Sequence, residues 1–200
     1  YKAILFDVDG TLIQNRKGSS PSQAVCDAIA NAKDNIPIGI ATARSLPLLN
    51  EIFGTLKLSA PCVINGGAQI IDPQTFENLS DQPIDIVDAL SIIKLVIPYQ
   101  LPIYINENGL EIQYSSTYIP QKPYFIYLEE LEPIIADELV NKLKIFKNLN
   151  VHKIIPHNPD KMSLGITHVL ATKEHGVKKV AEFLKTSPEY IVGVGDGYND

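Results

Sequence analysis

Tryptophan is absent from this 200-residue chain, methionine occurs once, and cysteine occurs only twice. Cys26 and Cys62 form no CxxC pair and have no histidine at ligand spacing, which excludes a disulfide framework and a zinc-finger site. We interpret both cysteines as buried free thiols of a protein in a reducing compartment.

A surplus of positive charge is missing as well. The 23 acidic side chains outnumber the 17 basic ones and give a net charge of −6, whereas nucleic-acid-binding proteins normally carry a basic face. No apolar run approaches the roughly 18 residues of a membrane span, and no basic segment with an apolar core begins the sequence. We therefore expect a cytoplasmic protein with neither nucleic acid nor membrane among its partners. The residues carry no signal for an oligomeric state.

What is present is an alternation of short apolar runs and helical patterns. Three runs lack polar alternation, which is typical of buried parallel strands: residues 3–6, 36–41 and 62–64. Between them, Ser20 is the predicted N-cap of one helix, and residues 46–53 predict a second helix that ends at Gly54. The order β-α-β-α-β predicts an α/β protein with a Rossmann-like parallel sheet.

The hydrophobic pattern then changes, which indicates a separate module. Its pattern predicts a helix, a hairpin through Asn108-Gly109, an irregular stretch, a second helix and a further hairpin. The first pattern then returns with a helix that begins at Lys173 and a strand over residues 190–194. We therefore predict a core formed by residues 1–76 and 169–200, with an α+β module inserted over residues 77–168.

Polar side chains follow four of the predicted core strands at the point where each strand ends. In chain order they are Asp7 and Asp9, then Thr42 and Arg44, then Asn65, and finally Asp196, Asn199 and Asp200. Ligands of parallel sheets bind at these carboxyl ends, and carboxylates gathered there repel one another unless a hard cation neutralises them. We therefore predict Mg²⁺ at this edge. Thr42, Lys173 and the backbone N–H groups of the Gly10-Thr11 loop suit an anion such as phosphate.

Two competing motif interpretations are weaker. A calcium loop that begins like Asp7-x-Asp9-Gly10 requires Gly at its sixth and Glu at its twelfth position, where this chain has Leu12 and Gly18. Gly193-x-Gly195 begins like a dinucleotide-binding fingerprint, but Tyr198 occupies the position of the third glycine. The histidines share no ligand spacing, and we predict surface or structural roles for them.

Five segments resemble motifs of the haloacid dehalogenase superfamily of phosphohydrolases, in the form found in its Cof-like branch. They are residues 4–12, 41–44, 63–67, 164–173 and 195–200. Ala43 stands where the branch usually has Gly, and Glu174 replaces the usual Gly after the motif lysine. The resemblance implies the fold of that superfamily, with the inserted module as a C2-type cap. It also implies a core truncated at its carboxyl end, because the family's chains continue beyond the last motif.

The resemblance further implies a Mg²⁺-dependent phosphatase that acts on a small phosphorylated metabolite, with a sugar phosphate as the expected class. Asp7 would be the nucleophile that becomes an aspartyl-phosphate, and Asp9 the general acid and then base. The implied phosphate-binding residues are Gly10, Thr11, Thr42, Ala43, Arg44, Asn65 and Lys173. The implied metal-binding residues are Asp7, Asp9, Asp196, Asn199 and Asp200.

Two alternative functions stay open at this point. A phosphomutase built on the same scaffold would transfer phosphate between substrate positions and require a bisphosphate. A non-catalytic metal- or phosphate-binding module would release no phosphate. Release of inorganic phosphate with Mg²⁺, and its loss on chelation, separates the three.

Overall fold

The chain divides into two compact units. The computed structural model describes residues 1–14, 19–107, 109–154 and 160–197. One unit comprises Tyr1–Asp81 with Ala171–Asp200, and the other is the inserted segment Gln82–Leu170. Across the described ranges, no helix has the length and apolar character needed to cross a membrane.

The described residues contain strands and helices in mixed order. In chain order they are β1 (Ala3–Phe6), α1 (Gln23–Ala32), β2 (Ile38–Ile40), α2 (Asn50–Leu56), β3 (Cys62–Ile64), β4 (Gln69–Ile71), β5 (Asn78–Asp81), α3 (Ile86–Val96), β6 (Ile103–Glu107), β7 (Leu110–Gln113), β8 (Pro123–Leu131), α4 (Pro133–Leu143), β9 (Leu149–Ile154), β10 (Met162–His168), α5 (Lys173–Phe183) and β11 (Ile191–Val194).

A parallel sheet centred on β1 forms the middle of the first unit. β1 pairs in parallel with β11 on one side and β2 on the other, and a parallel bridge between Ala41 and Val63 connects β2 to β3. Leu5, Ile38 and Ile64 are buried within these strands. Strands covered on both faces have continuous apolar runs, which is why the sequence pattern located them. The predicted α/β class with a parallel core is confirmed.

The inserted unit begins later than predicted. β4 and β5 continue the first unit as an antiparallel extension of β3, with Gln69 opposite Asp81. We had assigned residues 77–81 to the inserted module, but their backbone hydrogen bonds place them with β4. The sequence of the short turn between β4 and β5 shows no change in hydrophobic pattern, so it does not indicate that β5 belongs to the first unit.

Two predicted helix boundaries were wrong. Ser22 rather than Ser20 is the N-cap of α1 and accepts a hydrogen bond from the Val25 N–H, while the Ser20 hydroxyl donates to Glu51. α2 continues through Gly54 to Leu56. Burial of the Phe53 and Leu56 side chains outweighs the low helix propensity of one glycine.

The inserted unit is a five-stranded antiparallel sheet in the order β7-β6-β8-β10-β9. One face packs against α3 and α4, with Ile105, Ile126 and Leu164 in the shared core. The central strand β8 lies where we predicted an irregular stretch. Pro123 at its start and the acidic pair at residues 129–130 concealed its alternation, although proline is tolerated at the first position of a strand.

Candidate active site

Asp7 lies at the end of β1 and is paired with a lysine from a distant helix. Its N–H donates to the Val194 carbonyl at 2.8 Å, which connects the ends of β1 and β11. The Lys173 Nζ donates to Asp7 Oδ1 at 2.5 Å, and both side chains are about one-tenth exposed. A carboxylate this buried is stable in its charged form only with such a partner.

Two close backbone approaches position Lys173. The Thr172 hydroxyl caps α5 by accepting the His175 N–H at 3.1 Å. A Cβ on Gly67, where φ is +108°, would lie 2.2 Å from the Thr172 carbonyl oxygen, and a Cβ on Gly176 would lie 2.4 Å from Val63 Cγ1. Both glycines therefore allow the start of α5 to lie directly against β3 and the turn after it.

Neither glycine was among the predicted site residues. Gly176 stands inside a helical pattern, where an isolated glycine often marks a close packing contact. That signal was present in the sequence, but the residue on the other side of the contact was not predictable from it.

The Asp196 carboxylate lies over the loop that follows Asp7. A Cβ on Gly10, where φ is +90°, would lie 2.3 Å from Asp196 Oδ2. The Thr11 hydroxyl donates to Asp196 Oδ1 at 3.4 Å, a long contact. The structure thus places Asp196, from the last motif, against the Gly10-Thr11 loop of the first motif. Asn199 and Asp200, which we also predicted as metal-binding residues, lie outside the described residues.

Arg44 contacts Asp9 with two nitrogens. Its Nη2 lies 2.6 Å from Asp9 Oδ1 and its Nε lies 2.9 Å from Asp9 Oδ2. We predicted Arg44 as a phosphate-binding residue. In the structure its guanidinium holds the second predicted catalytic carboxylate, so Asp7 and Asp9 each have a cationic partner.

Thr42 and Asn65 connect the ends of β2 and β3. The buried Thr42 hydroxyl accepts the Arg44 N–H at 3.1 Å, and the Thr42 carbonyl accepts the Gly66 N–H at 2.9 Å. The Asn65 N–H donates to the Arg44 carbonyl at 2.9 Å, and its side-chain amide donates to Gln69 at 2.6 Å. These contacts hold Thr42 at the edge of the sheet.

The two departures from the motifs lie at the surface. Ala43 is exposed. The exposed Glu174 carboxylate pairs with Lys178 at 2.5 Å, and this contact lowers the pKa of Glu174. The negative charge next to Lys173 in sequence is therefore balanced by Lys178.

A cavity of about 280 Å³ lies beside Asp7 and Lys173. Most of its remaining wall is apolar and includes Leu5, Val177 and Val194. An apolar wall does not suit a phosphate, so the Lys173 ammonium and the Thr42 hydroxyl are the better candidates for anion binding. The N–H groups of Gly10 and Thr11, which we also predicted to bind phosphate, donate instead to the carbonyls of Ile13 and Val8.

The oxygen donors near this loop fit Mg²⁺ better than a more demanding metal. Within the described ranges, no group of three or more acidic, histidine or cysteine side chains is arranged to hold a metal ion. Zinc and calcium sites require at least three protein ligands. Mg²⁺ keeps several waters and commonly uses only one or two carboxylates. Asp7 and Asp196, with the Asp9 carbonyl, match that donor chemistry.

Comparison with known families decides the class of the protein. A family model described as haloacid dehalogenase-like hydrolase matches residues 4–200. The chain belongs to the haloacid dehalogenase-like hydrolases. The predicted superfamily and its Cof-like branch are thereby confirmed.

Two curated relatives of this hydrolase come from Bacillus subtilis (strain 168). YxeH, which is named as a phosphatase, is 23% identical over all of this chain and 82% of its own length. The 5-amino-6-(5-phospho-D-ribitylamino)uracil phosphatase YcsE is 26% identical over all of this chain and 78% of its own length. The predicted enzyme class, a phosphatase of the haloacid dehalogenase type, is confirmed.

A solved structure supports the fold of this hydrolase. The sugar phosphatase BT4131, described as a member of subclass IIB of the superfamily, superposes with a TM-score of 0.75 at 16% identity. The match covers all of this chain and 82% of that one. The predicted parallel-sheet core with an inserted α+β C2-type cap is confirmed.

Proposed function

We propose that this hydrolase is a Mg²⁺-dependent phosphatase that removes phosphate from a small sugar or polyol phosphate through an aspartyl-phosphate on Asp7. The observation that carries the proposal is the buried contact between Asp7 and Lys173 at the end of β1. The substrate class is supported by the ribityl chain in the substrate name of YcsE and by the description of BT4131 as a sugar phosphatase.

In the first step, an Asp7 carboxylate oxygen attacks the phosphorus and the bond from phosphorus to the alcohol oxygen breaks. The leaving alcohol takes a proton from Asp9. The Asp7 carboxylate and the phosphate dianion are both negative and repel each other. The adjacent Lys173 ammonium lowers the barrier to attack because its positive charge offsets this repulsion. The Thr42 hydroxyl, which accepts the Arg44 N–H, keeps its hydrogen to donate to a phosphoryl oxygen.

In the second step, water attacks the phosphorus of the aspartyl-phosphate, and Asp9 takes the proton from that water. Asp7 leaves as a carboxylate and inorganic phosphate is released. The Arg44 guanidinium contacts both Asp9 carboxylate oxygens and thereby holds this side chain in one orientation.

Asp7, the Asp9 carbonyl and Asp196 would hold Mg²⁺, with Asn199 and Asp200 supporting it. The bound ion would supply positive charge to the phosphoryl oxygens.

A phosphate-release assay tests this function. The protein is incubated with a panel of sugar and polyol phosphates, with Mg²⁺ or with excess chelator, and inorganic phosphate is measured. We expect release that chelation abolishes and that the Asp7→Asn variant lacks, while the surface variant Asp34→Asn keeps it. Acid quenching followed by peptide mass spectrometry should find the phosphoryl group on the peptide that contains Asp7.

Three results would contradict the proposal. Isomerisation of a sugar phosphate without net release would indicate a phosphomutase. Binding without either reaction would indicate a non-catalytic module. Equal activity of the Asp7→Asn variant would exclude Asp7 as the nucleophile.

A further inference from the structure

A second cavity, of about 780 Å³, lies in the first unit at the end of the sheet opposite the candidate active site. Residues 33–34, 50–59 and 73–76 contribute its lining. The Ile38 N–H donates to Ser59 Oγ at 3.2 Å, which places Ser59 at the amino end of β2. Cys62 pairs with Ile71, so the turn after β4 lies at the amino end of β3. We call this space the amino-end cavity.

One face of α2 forms a wall of the amino-end cavity. Asn50, Phe53, Gly54 and Lys57 line it, and their spacing of three and four residues places them on one side of the helix. A Cβ on Gly54 would meet no atom of the described residues within 4 Å. Glycine is a poor helix former, and no packing contact requires it at this position. Its missing side chain keeps the cavity open, and glycine permits a ligand to approach the backbone closely.

The turn after β4 holds an aromatic ring at the rim of the cavity. Phe76 is 46% exposed and has a φ of +59°, a conformation that is rare for a bulky residue. The Asp72 carboxylate accepts the N–H groups of Gln74 and Thr75, and the Asp72 carbonyl accepts the Phe76 N–H at 2.9 Å. The ring packs on Phe53 with centroids 5.6 Å apart. The turn therefore fixes an aromatic surface that the protein only partly covers.

Two lysines bring positive charge to the cavity. Lys33 and Lys57 are the C-caps of α1 and α2, and neither ammonium group has a hydrogen bond or an ion pair with the described residues. Positive charge at the carboxyl end of a helix complements the helix dipole. That effect accounts for the placement of the lysines but leaves both ammonium groups available to an anion. Asp34 and Asn50 line the same cavity and supply hydrogen-bond acceptors.

These walls match a ligand that combines three chemical groups. A flat ring suits the exposed part of Phe76, an anion suits the two ammonium groups, and hydroxyl or amino groups suit Asp34 and Asn50. Inorganic phosphate lacks the ring, and a nucleoside lacks the charge. The cavity volume lies within the range of about 300–1,000 Å³ that is usual for small-molecule sites.

We propose that the amino-end cavity is a binding site for a nucleoside monophosphate. The base packs on Phe76, the phosphate binds Lys33 and Lys57, and the hydroxyl groups of the ribose donate to Asp34 and Asn50. The proposal does not depend on the proposed function, because no residue of the cavity belongs to the candidate active site.

Isothermal titration calorimetry on the intact protein tests the site directly. Adenosine, guanosine, cytidine and uridine 5′-monophosphates are titrated in excess chelator, which prevents turnover during the measurement. Adenosine and inorganic phosphate are the partial probes, since one lacks the charge and the other lacks the ring. We expect at least one nucleotide to bind at least about tenfold more tightly than either partial probe.

Gly54→Leu should block the site without unfolding the protein. The new side chain extends from the α2 wall into the cavity, and leucine is a better helix former than glycine. The melting temperature should therefore equal or exceed that of the wild type, while nucleotide binding weakens by at least about tenfold. Gly54→Ala is the matched control. It also favours the helix but fills little of the cavity, so it should bind the nucleotide within about twofold of the wild type.

Lys57→Gln should weaken nucleotide binding by about tenfold, because one of the two ammonium groups is lost. Lys185→Gln is the control for this variant. Lys185 also follows a helix in the left-handed conformation, with a φ of +51° compared with +46° for Lys57, but it lies outside the cavity. The control should bind the nucleotide as the wild type does. Lys57 is exposed, so this variant tests the site whatever the stability of Gly54→Leu.

Four results would overturn the proposal. The first is that none of the four nucleotides binds, and the second is that Gly54→Leu folds and binds as tightly as the wild type. The third is that Lys57→Gln and Lys185→Gln have equal effects. The fourth is that inorganic phosphate displaces the nucleotide while both cavity variants bind normally, which would assign the nucleotide to the candidate active site.

Discussion

The Arg44 guanidinium donates hydrogen bonds to both carboxylate oxygens of Asp9, with Nη2–Oδ1 at 2.6 Å and Nε–Oδ2 at 2.9 Å. A planar guanidinium can make two such contacts at once, and an ammonium cannot. The loop after β2 therefore orients a side chain of the loop after β1. Arg44 acts on the proposed proton donor rather than on the phosphate alone.

Arg44→Lys should lower kcat by about 10- to 100-fold with a small change in KM. The charge is kept, but one of two charge-assisted hydrogen bonds is lost and Asp9 becomes free to rotate. Steady-state kinetics on the best substrate of the panel measures both constants. A large rise in KM with unchanged kcat would instead show that Arg44 binds the phosphate of the substrate.

Removing Lys173 should destabilise the protein as well as inactivate it. Lys173→Met leaves the buried Asp7 carboxylate without its partner, and the free energy of unfolding should fall by roughly 3 kcal/mol. Urea denaturation in the presence of chelator measures this loss. Adding Asp7→Asn to Lys173→Met should recover much of it, because the unpaired charge is gone. If the stability losses of Asp7→Asn and Lys173→Met simply add in the double variant, the energetic coupling between these two residues is contradicted.

Gly10→Ala should impair the response to Mg²⁺. The new methyl group would lie 2.3 Å from Asp196 Oδ2, so the carboxylate must move away from the loop. We expect a rise of at least about tenfold in the Mg²⁺ concentration that gives half-maximal phosphate release.

Gly66→Ala is the matched control, since Gly66 has a φ of +66° with open space around it. Both variants should lose about 1 kcal/mol of stability to backbone strain. Only Gly10→Ala should change the Mg²⁺ dependence. Equal Mg²⁺ dependence in the two variants would contradict a role for Asp196 in metal binding.

The two cysteines should differ in reactivity. Burial raises the pKa of the Cys62 thiol from 9.0 to about 12, whereas Cys26 is only half-buried. At pH 8 a thiol reagent should modify Cys26 in the native protein and reach Cys62 only after unfolding. The Cys26→Ala variant should then show no fast-reacting thiol, and a fast reaction in that variant would contradict the burial of Cys62.

The Cys62 shift also has a consequence for stability at high pH. Because the folded pKa lies above the unfolded one, the stabilising contribution is complete below about pH 9 and is lost as pH rises towards 12. Over that range the wild type should lose more unfolding free energy than Cys62→Ala does. Chemical denaturation of both proteins at several pH values measures the difference, and parallel curves would contradict it.

Much of the candidate site was predictable because its residues directly follow buried strands. A run such as residues 3–6 has no polar alternation, and the first polar residue after it, Asp7, marks where the strand leaves the core. The same reasoning located Thr42 and Asn65. Residues 123–131 escaped it, because Pro123 and the paired residues Glu129 and Glu130 interrupt the apolar pattern of this mostly buried strand.

The sequence by itself determined the parallel strands of the core, the start of α5 and the order of the polar residues at the strand ends. These features depend on local patterns of burial, and a helix or strand must satisfy its own period whatever its neighbours are. Only the tertiary structure decided that Arg44 pairs with Asp9 and that Gly67 and Gly176 admit α5. Those contacts join residues far apart in the chain, and their partners are selected by the packing of whole elements, which no local pattern records.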